Sequence, residues 1–93
     1  KNSFEEAKQF IYLAIRLNPT IPKYYSQMAR AYDGCGEFDS ALKYTKEAIE
    51  IDKDNIKYKK QAYEISLKIG DSKKTKIYES MLKRSEEILK SNR

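Results

Sequence analysis

Two stretches of this chain carry side chains able to do chemistry. The only thiol, Cys35, lies in Asp33-Gly34-Cys35-Gly36, where the flanking glycines would leave it open. A cysteine acts as a nucleophile or redox group when its surroundings favour the thiolate. The second stretch runs from Lys57 to Tyr63, where lysines alternate with tyrosines. Ammonium groups set among phenol rings suit phosphate contacts combined with base stacking. The chain contains no histidine. A histidine-dependent triad is thereby excluded, and a conventional zinc site, which needs about four ligands, is ruled out by inventory. No nucleophile–base pair and no phosphate-cradling glycine loop is present. The chain is therefore expected to be no enzyme and to hold no cofactor or metal. Cys35 reads best as an ordinary loop cysteine of a reducing compartment.

Composition sets the frame for these groups. The 93 residues are 40% hydrophobic and 35% charged, with 3 Gly and 2 Pro. That balance suits amphipathic helices, and is too poor in turn residues for a β fold or a disordered linker. No apolar run approaches the roughly 20 residues of a membrane span, and no secretory signal is visible. The chain is expected to be cytoplasmic, or a cytoplasmic piece of something larger. Net charge is +5, but 14 acidic residues are mixed among 19 basic ones. Dispersed charge of this kind argues against nucleic acid and against a membrane surface as partner.

Five helical segments position the side chains. The first is expected over Ser3 to Leu17, with Ser3 and Glu6 at capping-box spacing. Asn18-Pro19 stops it, because the residue before proline is pushed out of the α region. The second starts near Ile21-Pro22, where proline is tolerated in a first turn, and ends at Gly34 and Gly36. The third spans about Asp39 to Ile51, and Asp52 to Asn55 form a polar turn. The fourth covers Ile56 to Ile69, with Gly70 as an αL cap. The fifth begins at Asp71-Ser72 and is expected to reach Leu89 or run past it. Connections this short make neighbouring helices antiparallel.

The helices repeat. Phe4, Ala7 and Ala14 return as Phe38, Ala41 and Ala48, each 34 positions on. A period of that length belongs to stacked helical hairpins, which bury their apolar faces only against one another. Tyr25, Met28-Ala29, Tyr32, Gly36, Phe38, Ala41 and Ala48 fill, in order, the aromatic, large–small, aromatic, glycine, aromatic and small positions of one hairpin. On these residues the segment Pro22 to Asn55 resembles a tetratricopeptide repeat along its whole length. Lys53 stands where that family commonly has proline; the preceding half-repeat keeps its own, Pro19. In the last unit Tyr58, Gln61-Ala62 and Ile65 match at an offset of 33, whereas Gly70 matches Gly36 at 34. The expected explanation is an inter-repeat turn shorter by one and a hairpin turn longer by one. Thr75 and Leu82 then fill the small positions of the fifth helix, which reads as a capping or continuing helix.

The resemblance implies an all-α fold: hairpins stacked as a short right-handed α-solenoid over residues 1–93. It would comprise the second helix of a first repeat (3–17), a full repeat (21–51) and a degenerate hairpin (56–90). It implies a protein-interaction module, a scaffold or adaptor whose concave groove takes an extended peptide or a partner's helix. Carrying the family's groove positions over gives Ser26, Arg30 and Asp33, with Lys23 at the rim. The following helix gives Lys59, Tyr63 and Ser66 in one register and Lys60, Glu64 and Leu67 in the other. Lys57 is close to the same face in both. The chaperone-binding carboxylate clamp of some members needs asparagine at places where this groove has none. A looser preference for acidic peptides remains, since Arg and Lys suit carboxylates. Other readings are RNA binding through the Lys/Tyr surface, and self-association through the bare face of the first helix. That face is where a missing helix, or upstream chain of a longer parent, would pack.

Overall fold

The computed structural model describes residues 3–91, which form five helices and, among those residues, no strand. They are α1 (Ser3–Leu17), α2 (Pro22–Gly34), α3 (Phe38–Ile51), α4 (Ile56–Ile69) and α5 (Ser72–Ser91). Each packs on the helix next to it in sequence, and the extents of 45 × 30 × 17 Å are those of a layered slab. Among the described residues, no helix is long and apolar enough to cross a membrane.

Local chemistry sets the boundaries. Pro22 opens α2 in its first turn, where its missing N–H is no loss. Gly36 (φ +79°) and Gly70 (φ +82°) take the left-handed turns that end α2 and α4. The Asn55 side chain accepts from the Lys57 N–H at 2.9 Å and caps α4. Asp71 does the same for α5, accepting from the N–H groups of Lys73 (3.0 Å) and Lys74 (3.3 Å). Ser3 is itself the first residue of α1, so the cap position before it lies outside the described residues. α3 begins one residue earlier than its sequence suggests, at Phe38.

The expected slip in the turns is absent. Helix starts keep an offset of 34, from Pro22 to Ile56 and from Phe38 to Ser72, as do Gly36 and Gly70. The turn before α4 has the same length as the turn before α2, and the α4–α5 turn is shorter than the α2–α3 turn. Tyr58 and Ala62 still reach the core. One residue is about 100° of rotation, which stays inside the wide apolar arc of a packed helix.

The core is built on small side chains. Ala29, Ala41, Ala48 and Ala62 are all fully buried, as the repeat pattern requires. Leu42, Ile49, Ile65 and Tyr78 fill the space beside them. Burial of each such large side chain stabilises by about 1.5–3 kcal/mol. Thr45, also fully buried, donates its hydroxyl to the Ala41 carbonyl at 2.9 Å and leaves no orphan. α3 packs against both α2 and α4. α1 packs mainly on α2 and has no fully buried residue; Phe10 is 74% and Leu17 87% exposed. Tyr44, which stands 34 residues after Phe10, shows what such a position does when covered. It stacks on Tyr32 (5.4 Å between centroids) and Tyr25 (6.5 Å) of α2.

Candidate functional site

Because α3 is antiparallel to both its neighbours, α2 and α4 run side by side in the same direction. Two cross-links tie them. Ser26 donates its hydroxyl to Gln61 Oε1 at 2.8 Å, and the Gln61 amide donates to the Ser26 carbonyl at 3.1 Å. Further along, Lys68 Nζ meets both carboxylate oxygens of Asp33, at 2.8 and 3.0 Å. Between the helices lies an open groove of about 920 Å³.

Five of the eight residues carried over from the family line this groove: Lys23, Ser26, Arg30, Asp33 and Lys57. The other three are elsewhere. Ser66 is fully buried and its hydroxyl donates to the Tyr63 carbonyl at 2.6 Å. Tyr63 packs against the core. Lys59 points to the α4–α5 side and donates to Ser85 Oγ at 2.6 Å. In their place the groove has Lys60 and Glu64, the residues of the second register, while that register's Leu67 is not among the lining residues. Gln61 and Lys68 also line the groove, with Gln27, Asn55, Tyr58 and Ile65, and were not placed there from sequence. The unbroken offset of 34 between Pro22 and Ile56 was the available signal, masked by the 33-residue match of the aromatics.

The charges are unevenly placed. Lys23 and Lys57 stand in the first turns of α2 and α4, where neither helix has an acid. A cation there opposes the helix dipole at about 0.3–1 kcal/mol each. Among the described residues, no acid lies within ion-pair distance of Lys23, Arg30, Lys57 or Lys60. Lys68, by contrast, is held by Asp33 and lies 5.7 Å from the Phe38 ring centroid.

Two other places hold functional groups. A recess of about 700 Å³ between α4 and α5 has Ile56, Met81 and Ile88 in its wall, with Lys59 and Arg84. Glu5, Cys35 and Glu37 bring a thiol and two carboxylates within 4.8 Å of one another. Lys8 already supplies the positive charge, at 3.0 Å from Glu5 and 3.8 Å from Glu37. The hydrogen bond to Glu5 is the main reason its ammonium is held above the ordinary value. The Cys35 thiol is 3.9 Å from Glu5 Oε2. Lys8 Nζ also sits 4.4 Å over the Tyr32 ring.

Comparison with known proteins agrees with this architecture. Residues 22–55 match the family model for the tetratricopeptide repeat. No curated protein sequence matches the chain. Among solved structures, one described as "MamA RS-1 ArsTM double mutant" superposes with a TM-score of 0.90 at 18% identity. The alignment covers 97% of this chain and 51% of that one, so the chain spans about half its length. At that identity the likeness is one of fold.

Proposed function

We propose that this chain is a non-catalytic protein-interaction module, its α2–α4 groove receiving an extended peptide or one edge of a partner's helix. The repeat at 22–55 and the stacked-hairpin fold support the module. The observation that carries the groove is four cations, Lys23, Arg30, Lys57 and Lys60, on the walls of one open channel, none with an acid within ion-pair distance among the described residues. Such groups favour carboxylates, and the preferred partner is an acidic segment.

The placement of the Lys/Tyr stretch weighs against RNA. Tyr63 packs against the core and Lys59 is tied to Ser85, so of the stretch's rings only the partly buried Tyr58 lines the groove beside Lys57 and Lys60. Titration of fluorescent acidic peptides, basic peptides and single-stranded RNA against the 93-residue chain tests the proposal. Acidic peptides should bind best, and Lys57→Gln/Lys60→Gln should weaken them. Equal binding of basic peptides, or preference for RNA with a steep salt dependence, would overturn it.

One observation favours a second reading, self-association: Phe10, Leu13 and Leu17 form an exposed apolar stripe on α1. Sedimentation of the parent and of Leu17→Glu tests it, with a concentration-dependent oligomer expected only for the parent.

A further inference from the structure

We infer that the groove takes acidic residues only in the half built by the first two turns of α2 and α4. The Asp33–Lys68 pair closes the other half to anions. The inference rests on the peptide-binding reading above and adds where along the groove the ligand's charge must lie.

The two walls carry matched levels, since α2 and α4 are parallel and start 34 residues apart. Lys23 and Lys57 both stand in the first turns of their helices, and Lys60 lies about 5 Å further along α4 at 1.5 Å per helical residue. All three lack an acid within ion-pair distance among the described residues. About 10 Å along from Lys23 and Lys57, Arg30 on one wall is matched by Glu64 on the other. About 15 Å along, Asp33 and Lys68 neutralise each other. One half of the groove is thus triply cationic, and the other carries two charge-balanced levels.

A ligand carboxylate arriving at Lys68 would meet a cation that already spends two of its three N–H donors on the Asp33 oxygens. It would have to displace Asp33 or rest beside it, like charge against like. No such competitor stands at Lys23, Lys57 or Lys60. An extended peptide advances about 3.3 Å per residue, so the lysine half spans about two to three residues. The ligand is therefore a segment whose acidic residues are clustered within about three positions and whose continuation is uncharged. An evenly acidic segment would place carboxylates against Glu64 and Asp33. The two first-turn lysines, which oppose the helix dipole, fit this reading: folding does not reward them and the ligand does.

Three fluorescent ten-residue peptides test this. The first has three adjacent glutamates at one end, the second has the same glutamates spread evenly, and the third replaces them with serines. Binding to the parent chain should follow that order, with about fivefold between the first two at low ionic strength. The Lys57→Gln/Lys60→Gln variant should abolish the difference. Lys68→Met should leave the clustered peptide within about twofold, and Asp33→Asn should strengthen the spread peptide by releasing Lys68. Equal affinities for the clustered and spread peptides would overturn the inference while leaving the peptide-binding reading intact. So would an equal loss from Lys68→Met and Lys57→Gln/Lys60→Gln. If the serine peptide bound as well as both acidic ones, the acidic-groove reading itself would fail. Circular dichroism of each variant confirms that a lost affinity is not lost fold.

Discussion

Ser26 and Gln61 hold each other by two hydrogen bonds across 35 residues, side chain to side chain and amide to backbone carbonyl. They join α2 to α4 directly. Gln61→Ala would leave the buried Ser26 hydroxyl without its acceptor, at a cost of about 1–3 kcal/mol. For a domain of this size, the melting temperature should fall by about 4–8 °C per kcal/mol. Ser26→Ala keeps the carbonyl bond and should cost less than Gln61→Ala. Thermal melts followed by circular dichroism decide; a Gln61→Ala chain melting with the parent would mean that the pair ties nothing.

Ala41 of α3 is fully buried, in the same core cluster as Ala29 of α2. A leucine there must push the helices apart or adopt a strained rotamer. The expected loss is about 1–3 kcal/mol, read from denaturant unfolding at unchanged slope.

Lys59 and Lys60 are adjacent in sequence and belong to different surfaces. Lys60→Ala should weaken acidic-peptide binding by about threefold or more, and Lys59→Ala should leave it within about twofold. The reverse result would move the binding face to the α4–α5 recess.

Tyr78, 8% exposed, has its phenol pushed above the ordinary value of 10.0 by burial. The neutral form is favoured in the fold, so this stability is complete below pH 10 and drains away as pH climbs through the folded value. Tyr44 shifts in the same direction, chiefly by burial and secondly through Tyr32. Melting temperature should be flat from about pH 7 to 9 and fall beyond about pH 10, less steeply in Tyr78→Phe. An identical alkaline limb in that variant would remove Tyr78 from the explanation.

Much of the fold was legible in sequence because its signals are local. Pro22, Gly36 and Gly70 mark boundaries through backbone geometry alone, and Ala29, Ala41 and Ala48 mark close approach through size. The groove was half legible. On α2 the projection from the family reached Lys23, Ser26, Arg30 and Asp33, all of which line it. On α4 the aromatic match at Tyr58 drew the projection one residue off, to Lys59, Tyr63 and Ser66. A rotation of about 100° is harmless for a residue within a wide apolar arc, but it carries a polar residue from one face to another. Gln61 and Lys68 could not be singled out because their meaning lies in partners, Ser26 and Asp33, that only the stacking brings near.

The fully buried alanines have a consequence beyond stability. α3 packs against both helices that wall the groove, and the alanines at 29, 41, 48 and 62 of these three helices are buried without any exposed surface. The width of the channel therefore depends on residues that do not line it. A methylene added out of the ligand's reach would spread Lys23 from Lys57 and detune recognition without touching one charged residue. Selectivity in such a module can drift through its plainest residues.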